Sequence, residues 1–455
     1  MIDTELKFAE NDLNEIIRMF DDGKDISVRH LFSEKSDRVV NTFVLGGKSY
    51  AYGNYLGVIE DEIVRKRLVK RYAKVSLYKA LSSFTGKVLP WGSISGIRPT
   101  KLAYRNIEEE GEFKDFFRST LLVSEKKTEL VAKVLEGQKG YYELNDDNTD
   151  FFVFIPFCPS RCRYCSFITS DVKSAAKLTD KNVDTLIYEI ENSKKFIKKL
   201  RSVYVGGGTP VALSDSQLDR ILSSLDDITK GVEFTVEAGR PDRITRENLK
   251  ILKAHGVNRI CINPQTFNDK TLKLLGRDHT AKETIEKYLL AKNDFAINMD
   301  LIAGLEGETF EDFKYTLEQT LSLRPDNITV HTLCIKRGSY LAENTSRLSG
   351  EETEKMVDYA YDLLTEKGYL PYYLYRQKYM SGNLENVGYS LPGKQCIYNI
   401  DTMEDVTSCV ACGANAISKK VIGADITERS AAPKDVKTYI EKIDTILKDK
   451  ETLFN

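Results

Sequence analysis

Between residues 151 and 333 the sequence alternates short, β-rich apolar runs with stretches of helical periodicity. In the first such stretch Val183, Leu186 and Ile190 fall on one helical face. Strands connected through helices pair in parallel, because a parallel neighbour needs a crossover. Six strands are too few to close an eight-stranded barrel, so the pattern predicts an α/β fold with an open, partial (β/α)6 barrel. The predicted strands are 151–155, 203–205, 234–236, 259–262, 297–302 and 328–333, and the later helices are 218–225, 246–254, 282–291 and 310–321.

A cysteine triplet follows the first predicted strand. Cys158, Cys162 and Cys165 form a C-x3-C-x2-C pattern. Active sites of such folds lie at the C-terminal ends of the strands, so this loop is expected at the mouth of the sheet. Three thiolates can ligate three irons of a [4Fe–4S] cube and leave the fourth iron open to a ligand. A structural zinc site is the alternative, but it needs four ligands, and the other C-x2-C, Cys409 and Cys412, is far downstream.

The bulk composition is that of an ordinary globular protein. Of 455 residues, 41% are hydrophobic and 29% charged, and a net charge of −2 gives no global attraction to nucleic acid or anionic membranes. The N-terminus lacks the apolar core of a signal peptide, and no stretch approaches the about 18 apolar residues of a membrane span. Eight cysteines, three in ligand spacing, indicate metal chemistry in a reducing compartment. We therefore expect a cytoplasmic protein without a membrane span or a nucleic-acid partner.

The length predicts more than one domain. A polar, turn-rich stretch at 145–149 separates an N-terminal accessory α+β domain, 1–148, from the barrel, 149–345. The N-terminal domain has a helical stretch near 63–81 and one distinctive segment, 91–101, but no metal or nucleotide motif.

A C-terminal domain is predicted for residues 346–455. It begins with a predicted helix at 352–367, continues into an aromatic and basic run at 372–378, and has helical periodicity again at 436–447. The last segment is expected to form a surface helix.

The second predicted strand runs into Gly206-Gly207-Gly208-Thr209-Pro210. Glycines at a strand end let backbone groups approach a ligand closely. A phosphate-binding loop would end in Lys-Ser/Thr and start a helix, whereas a proline follows here. One βα unit from the cysteine loop, the glycines favour a small polar ligand on the open iron.

Together, these two motifs resemble those of radical S-adenosylmethionine (SAM) enzymes, specifically the oxygen-independent coproporphyrinogen III oxidase-like group. The resemblance covers about 150–345 and the C-terminal region, and Ile97-Arg98-Pro99-Thr100-Lys101 resembles the coproporphyrinogen dehydrogenase branch. It implies a TIM-like partial barrel of the radical SAM type and a [4Fe–4S] cluster held by the triplet, whose open iron chelates SAM. Family precedent allows two SAM molecules, and the reduced cluster cleaves SAM into methionine and a 5′-deoxyadenosyl radical.

The resemblance assigns SAM-binding roles near successive strand ends. Gly206, Gly207 and Thr209 match the loop that meets the methionine amino group. Glu237 matches an acidic residue at the adenosyl group, and Gln265 matches a glutamine near the ribose.

Two later positions complete this set. Arg277 matches an arginine suited to the SAM carboxylate, for which a bidentate guanidinium has the right shape. Asp300 matches an aspartate that accepts from ribose hydroxyls. Taken singly, each assigned residue is more typical of a surface charge or strand cap, but their order at successive strand ends favours the ligand interpretation.

The sequence also departs from the family pattern. Members with decarboxylase activity carry Tyr and His where Phe152 and Phe154 stand here, so the roles of those two groups are absent or relocated. The extra cysteine of that branch is missing after Cys165, and Asn415 replaces a common glycine. These departures affect the predicted reaction rather than the cofactor chemistry.

Four propionates on coproporphyrinogen would require several basic donors around an apolar cavity. Arg98, Arg376 and Lys378 are the substrate candidates because they lie in motif-like segments among aromatic and apolar residues. The alternative for 372–378 is an edge strand with a solvated basic face. No catalytic side chain is assigned.

The remaining cysteines and histidines carry weaker signals. Cys409 and Cys412, with Cys396 upstream, form an auxiliary cluster or redox pair in one interpretation and ordinary buried thiols in the other. The histidines show no paired i, i+4 spacing, and structural roles are expected for them. They are His30, His255, His279 and His331.

The leading functional prediction is oxidative decarboxylation of coproporphyrinogen III to protoporphyrinogen IX in an anaerobe. The resemblance implies hydrogen abstraction from a propionate, after which loss of carbon dioxide and one electron leaves a vinyl group, twice per product. The expected partners are a tetrapyrrole and a low-potential electron donor such as flavodoxin or ferredoxin. Two alternatives stay open, a haem-binding trafficking protein and a haem-degrading radical SAM methyltransferase. An axial haem ligand would suit the first, and the candidates are His331, Cys334 or the C-x2-C pair.

Overall fold

A computed structural model describes residues 2–20, 26–35, 37–96, 98–165, 170–172, 176–334, 350–377, 380–424 and 426–455. The chain divides into two compact units. The N-terminal unit comprises Met1–Ala132 and Gly382–Leu384, and the barrel unit comprises Lys133–Ser381 and Glu385–Asn455. The domain boundary predicted at 345 lies outside the described residues.

The N-terminal unit combines a four-stranded sheet with helices. Its strands pair in the order β1-β2-β3-β4, with β1 and β2 parallel and the other pairs antiparallel. Asp61 caps α2 by accepting from two backbone amides, and α2 contains the predicted 63–81 helix. The elements are β1 (Ile2–Thr4), α1 (Glu10–Met19), β2 (Val28–Lys35), β3 (Arg38–Leu45), β4 (Lys48–Tyr55), α2 (Glu62–Thr85), α3 (Pro99–Glu110) and α4 (Glu125–Gly137), inside which the division between the units falls.

The barrel unit is built on an eleven-stranded sheet with helices in the connections. The strands of this unit are β5 (Asn148–Ile155), β6 (Phe157–Cys158), β7 (Ser170–Asp171), β8 (Lys199–Gly207), β9 (Glu233–Gly239), β10 (Arg259–Ile262), β11 (Ala296–Ala303), β12 (Asn327–Thr332), β13 (Leu370–Tyr375), β14 (Asn386–Ser390), β15 (Ser408–Cys412), β16 (Ile417–Ile422) and β17 (Ile426–Ala431). Of these, β6 and β7 pair only with each other, in a separate two-stranded sheet. Its helices are α5 (Ala176–Ser193), α6 (Asp215–Ser223), α7 (Arg246–Ala254), α8 (Asp269–Leu274), α9 (Ala281–Ala291), α10 (Phe310–Leu323), α11 (Gly350–Glu366), α12 (Ile397–Glu404), α13 (Val436–Glu441) and α14 (Ile443–Phe454).

The predicted α/β fold is confirmed. The six predicted strands correspond to β5, β8, β9, β10, β11 and β12, which are neighbours in chain order and pair in parallel throughout. The predicted helices of this region match α5, α6, α7, α9 and α10. Four of these helices begin with a reciprocal capping box: α6, α7, α9 and α10.

The sheet extends beyond the six parallel strands at both ends. The pairing order is β13-β14-β12-β11-β10-β9-β8-β5-β15-β16-β17, so strands of the C-terminal region flank the parallel strands. β15 pairs with β5 in parallel, whereas β14 pairs with β12 antiparallel. The prediction was therefore correct for these six strands but missed the five flanking strands, of which β15 extends the parallel run to seven.

One face of the parallel sheet packs on the helices. Phe151, Val203, Val236, Ile260 and Met299 all belong to this main core and are almost fully buried. Because side chains alternate along a strand, the residues between them face the other way. We call this opposite surface the inner face.

The predicted surface helix at 436–447 is instead two helices, α13 and α14, which meet at Lys442. The last helix is anchored by Lys450, which is almost fully buried and donates to Glu189 over 2.8 Å and to Ser193 over 3.1 Å. Tyr439 also donates to Glu189, over 2.5 Å. Among the described residues, no helix is long and apolar enough to cross a membrane.

Candidate functional site

The cysteine triplet lies at the C-terminal end of β5. Cys158 ends the short strand β6, and Cys162 and Cys165 follow in a loop closed by a 3.0 Å bond from the amide of Cys165 to the carbonyl of Cys162. All three thiol side chains are partly exposed. Thr209, from the glycine-rich segment, places its hydroxyl 3.6 Å from the sulfur of Cys158. The loop therefore lies at the mouth of the sheet, beside the glycines.

Two arginines approach the sulfur of Cys162. Nη1 of Arg240 lies 3.7 Å from this sulfur, and Nη1 of Arg277 lies 3.9 Å from it. Arg277 was predicted as a site residue, whereas Arg240 was missed. The available signal was its position directly after β9, where strand ends point toward an active site.

The glycines allow close packing inside the protein. A side chain on Gly206 would meet Glu237 at 2.9 Å, and one on Gly207 would meet the Phe154 ring at 2.6 Å. On Gly208 it would lie 2.3 Å from the carbonyl oxygen of Phe157. These positions exclude a β-carbon, and packing around the site is one reason for the triple glycine.

Glu237 occupies the inner face on β9. It accepts a 2.6 Å hydrogen bond from the hydroxyl of Tyr204 on β8. Desolvation by burial raises the pKa of Glu237 to about 7, and the carboxylate of Asp300 adds to this rise. Hydrogen bonds from Tyr204 and the backbone of Gly207 act in the opposite direction. Glu237 therefore changes charge near neutral pH.

Gln265 and Asp300 are tied together by the backbone. The amide of Gln265 donates to the carbonyl of Asp300 over 2.9 Å, and the amide of Ile302 donates to the carbonyl of Gln265 over 3.0 Å. Gln265 has a left-handed backbone, φ 67°, which is strained for this residue type. Its Oε1 is buried and has no hydrogen-bond partner among the described residues, so it offers an acceptor for a ligand.

The carboxylate of Asp300 is held from two sides. Asn298 donates to one oxygen over 2.7 Å, and His331 lies 3.8 Å from the other. Burial alone would raise the pKa of Asp300, but His331 and the hydrogen bond from Asn298 bring it below its usual value. Asp300 is thus ionised and positioned as an acceptor on the inner face.

The guanidinium of Arg277 is buried and engaged by protein groups. It donates to the carbonyl of Asn263 over 2.6 Å, to that of Gly239 over 3.4 Å and to the hydroxyl of Tyr164 over 3.0 Å. Its Nε has no partner within the described part of the chain. The predicted carboxylate-binding role stays a prediction, since only Nε is left for a further acceptor here.

The two phenylalanines that depart from the family pattern join an aromatic cluster. Phe152 lies 6.2 Å from Phe154 between ring centroids and 5.9 Å from Tyr398, which stacks on Tyr204 at 4.3 Å. Hydroxyl groups are therefore present near Phe152, but they come from a neighbouring strand and from α12.

The substrate candidates have different surroundings. Arg376 directly follows β13 at one end of the sheet and is buried, with a pKa lowered to about 10 by desolvation. The alternative interpretation of 372–378 is thus correct in that β13 is an edge strand of the sheet, but Arg376 is buried and does not lie on a solvated face. Arg98 begins α3 in the N-terminal unit and is partly exposed. Lys378 lies outside the described residues.

The downstream cysteines do not form a pair. Cys412 belongs to the main core, whereas Cys409 packs with Phe154 on the opposite face. This follows from their three-residue spacing along β15, because side chains alternate along a strand. Burial raises the pKa of both thiols to about 12. Cys396 is also buried and donates to Glu233 over 3.2 Å.

Comparison with known proteins identifies the family. The profile of the Radical SAM superfamily matches residues 152–320. The chain is 39% identical over 386 residues, 80% of its own length and 77% of the relative's, to the oxygen-independent coproporphyrinogen-III oxidase-like protein HemZ of Bacillus subtilis. The chain belongs to the radical SAM superfamily, in its coproporphyrinogen-III oxidase-like family.

The chain is also similar to a haem chaperone and to an enzyme of known structure. The haem chaperone HemW of Lactococcus lactis is 33% identical over 283 residues, covering 60% of this chain and 70% of HemW. Among solved structures, the coproporphyrinogen III oxidase HemN of Escherichia coli matches 70% of this chain and 72% of its own, with a TM-score of 0.54 and 23% identity. This likeness confirms the predicted radical SAM fold.

Members of this superfamily use a [4Fe–4S] cluster and SAM, and these are the cofactors of this chain. The donor chemistry fits them: three partly exposed thiols lie in one loop, and the buried, unpartnered Oε1 belongs to Gln265, whose backbone amide donates to the carbonyl of Asp300. Among the described residues, no three His, Cys, Asp or Glu side chains are grouped as a metal-ion site. The individual ligand assignments therefore stay predictions.

Proposed function

We propose that this protein catalyses the oxygen-independent oxidative decarboxylation of coproporphyrinogen III to protoporphyrinogen IX. One observation carries the proposal: the partly exposed carboxylates of Glu237 and Asp300 lie on the inner face of a radical SAM sheet, and the backbone of the adjacent Gln265 is hydrogen-bonded to that of Asp300. The similarity to HemZ over most of both chains supports the choice of substrate.

We assign the cluster to Cys158, Cys162 and Cys165. Their loop lies at the mouth of the sheet. The hydroxyl of Thr209 lies within 4 Å of the sulfur of Cys158, and two arginines lie within 4 Å of the sulfur of Cys162. Such donors stabilise thiolate ligands because they place positive charge near sulfur. When bound and reduced, the cluster would supply the electron for the reductive cleavage of SAM.

The SAM pocket is proposed to lie between the cysteine loop and the inner face. Asp300 and the free Oε1 of Gln265 are the acceptors for ribose hydroxyls. Glu237 lies at the adenosyl group, where its carboxylate accepts from Tyr204 and faces Asp300. Gly206, Gly207 and Thr209 would meet the methionine end, and Arg277 would contribute its remaining donor to the carboxylate.

Tyrosines and basic side chains are proposed to hold the tetrapyrrole. Tyr373 and Tyr375 stack with their centroids 6.4 Å apart on β13, and the hydroxyl of Tyr375 lies 3.4 Å from Nδ1 of His331 on β12. Arg376 follows them, buried, where a guanidinium would pair strongly with a propionate. Lys378 stays a candidate for another propionate, and the role predicted for Arg98 stays a prediction. A low-potential carrier such as flavodoxin or ferredoxin is proposed as the electron donor.

A second candidate function is haem binding without turnover. Two observations favour it: the Tyr and His of decarboxylating members are replaced by Phe152 and Phe154, and a haem chaperone is among the relatives. His331 is the candidate axial ligand, because its ring is partly exposed on the inner face. Tyr375 contacts its Nδ1, so Nε2, which lies 3.8 Å from Asp300, is the nitrogen that would bind iron.

An anaerobic assay separates the two functions. The reconstituted protein is given SAM and a reductant, with either coproporphyrinogen III or haem, and 5′-deoxyadenosine and the tetrapyrrole products are measured. We expect deoxyadenosine and vinyl products with coproporphyrinogen. Tight haem binding, shifted in the Soret spectrum by H331A, together with no deoxyadenosine above background, would instead support the second function. A methylated, ring-opened product from haem would support degradation and contradict both.

A further inference from the structure

Arg240 is a buried cation in contact with the cysteine loop. It immediately follows β9 and is only 4% exposed. Its Nη1 donates to the hydroxyl of Ser160 over 3.0 Å and lies 3.7 Å from the sulfur of Cys162. This nitrogen is therefore directed at the loop that carries the triplet.

A carboxylate fixes the orientation of this guanidinium. Asp242 accepts from Nε of Arg240 over 2.8 Å and from Nη2 over 3.2 Å, a bidentate pair. Asp242 also faces Arg243 at 3.4 Å and His279 at 3.9 Å. Because Asp242 holds Nε and Nη2 along one edge of the guanidinium, the orientation of the remaining nitrogen, Nη1, toward the cysteine loop is fixed.

The effect of such a donor on an iron–sulfur cluster has a definite sign. Reduction adds negative charge, part of which resides on the ligand sulfurs. An N–H donor and a positive charge close to a ligand sulfur stabilise the reduced state more than the oxidised state, so they raise the reduction potential. Burial strengthens the effect because the surrounding protein screens it less than water does.

We propose that Arg240, held by Asp242, raises the reduction potential of the cluster through its contact with the sulfur of Cys162. The inference rests on the proposed role of Cys162 as a cluster ligand. It gives Arg240 a role in making the cluster reducible, distinct from the binding of SAM or tetrapyrrole.

The test is a redox titration of the reconstituted, full-length protein without SAM, followed by electron paramagnetic resonance. R240Q removes the charge, and R240K keeps the charge but not the fork. R243Q is the matched control, since Arg243 carries the same charge, also contacts Asp242 and makes no contact with the triplet sulfurs in the described part of the chain. We expect R240Q to lower the equilibrium constant for one-electron reduction about tenfold, a shift of about 59 mV to lower potential. R240K should lower the potential by less than R240Q does. The shift in R243Q should be less than about a third of the shift in R240Q.

The outcomes separate the two proposals. A wild-type protein that holds no cluster, or a C162A variant that keeps a normal one, would overturn the ligand assignment itself. A cluster that binds normally but has the wild-type potential in both R240Q and R240K would overturn only the role of Arg240, as would an equal shift in R243Q. If R240Q fails to retain iron, the potential of R240K is the test: a lowered potential supports the role of Arg240, and a wild-type potential overturns it.

Discussion

Tyr204 donates its phenolic hydrogen to Oε1 of Glu237 over 2.6 Å, joining β8 and β9 across the inner face. The two side chains lie beside Gly206, where a β-carbon would come within 3 Å of both. This contact places a carboxyl group that titrates near neutral pH at the centre of the candidate SAM pocket.

Glu237 should make the stability of the protein depend on pH. Its pKa is about 7 in the folded protein against 4.5 as the usual value, so the folded state binds more protons than the unfolded state between these values. Stability from this group is fully present below pH 4.5 and is lost as pH rises to about 7. The difference in melting temperature between wild type and E237Q should therefore fall from pH 5 to 7 and level off above it.

Removing the hydroxyl of Tyr204 should extend this fall to higher pH. Y204F deletes a hydrogen bond that lowers the pKa of Glu237, so this pKa should rise further. The difference in melting temperature is measured between Y204F and the Y204F/E237Q double variant over the same pH range. E247Q, on the exposed surface of α7, is the control. A difference that is flat across pH 5 to 8 would contradict the described surroundings of Glu237.

G208A should destabilise the site. The added β-carbon would lie 2.3 Å from the carbonyl oxygen of Phe157 and 2.8 Å from that of Ile155, both backbone atoms that cannot move aside cheaply. We expect a loss of about 1–3 kcal/mol in the free energy of unfolding and a lower iron content after reconstitution. G53A is the control because its β-carbon meets only Val40, at 3.9 Å. Equal effects of the two substitutions would contradict the packing explanation.

Iron content should distinguish the triplet from the downstream cysteines. Alanine at Cys158, Cys162 or Cys165 should each abolish the characteristic [4Fe–4S] absorption. C409A and C412A should retain it, because these two thiols are buried on opposite faces of β15. Iron and sulfide are measured after anaerobic reconstitution. A loss of iron in C409A or C412A while the fold, checked by circular dichroism, stays intact would show a second site.

K450M should be strongly destabilising. It leaves the carboxylate of Glu189, which is fully buried, without its cation, at an expected cost of about 3–5 kcal/mol. K448M, two residues away on the exposed side of α14, is the control and should have little effect. In the E189Q/K450M double variant the cost should be smaller than the sum of the single effects. Additive effects in denaturant unfolding would argue against this ion pair.

The sequence predicted those parts of the fold that depend on local pattern. Short β-rich apolar runs between helical stretches located six of the parallel strands, and β10 and α7 have the predicted bounds, Arg259–Ile262 and Arg246–Ala254. Tyr204, Glu237 and Asp300 each neighbour a residue of the main core along their strands, which places all three on the inner face. The flanking strands were missed because β15 pairs with β5 from far along the chain.

Site residues that act through long-range contacts were not predictable from spacing. Arg240 contacts Cys162 from another strand end, and Tyr398 stacks on Tyr204 from α12. Neither residue belongs to a local motif. Conversely, the spacing of Cys409 and Cys412 resembles a ligand pair, but on a strand it directs the two thiols to opposite faces.

The most direct test of the central proposal is the stoichiometry of the anaerobic reaction with coproporphyrinogen III. Two propionates become two vinyl groups, so each protoporphyrinogen IX should be accompanied by two carbon dioxide and two 5′-deoxyadenosine molecules. The variant with alanine at Cys158, Cys162 and Cys165 should form none of the three. Protoporphyrinogen produced by that variant, or deoxyadenosine released by the wild type without any loss of carbon dioxide, would contradict the account.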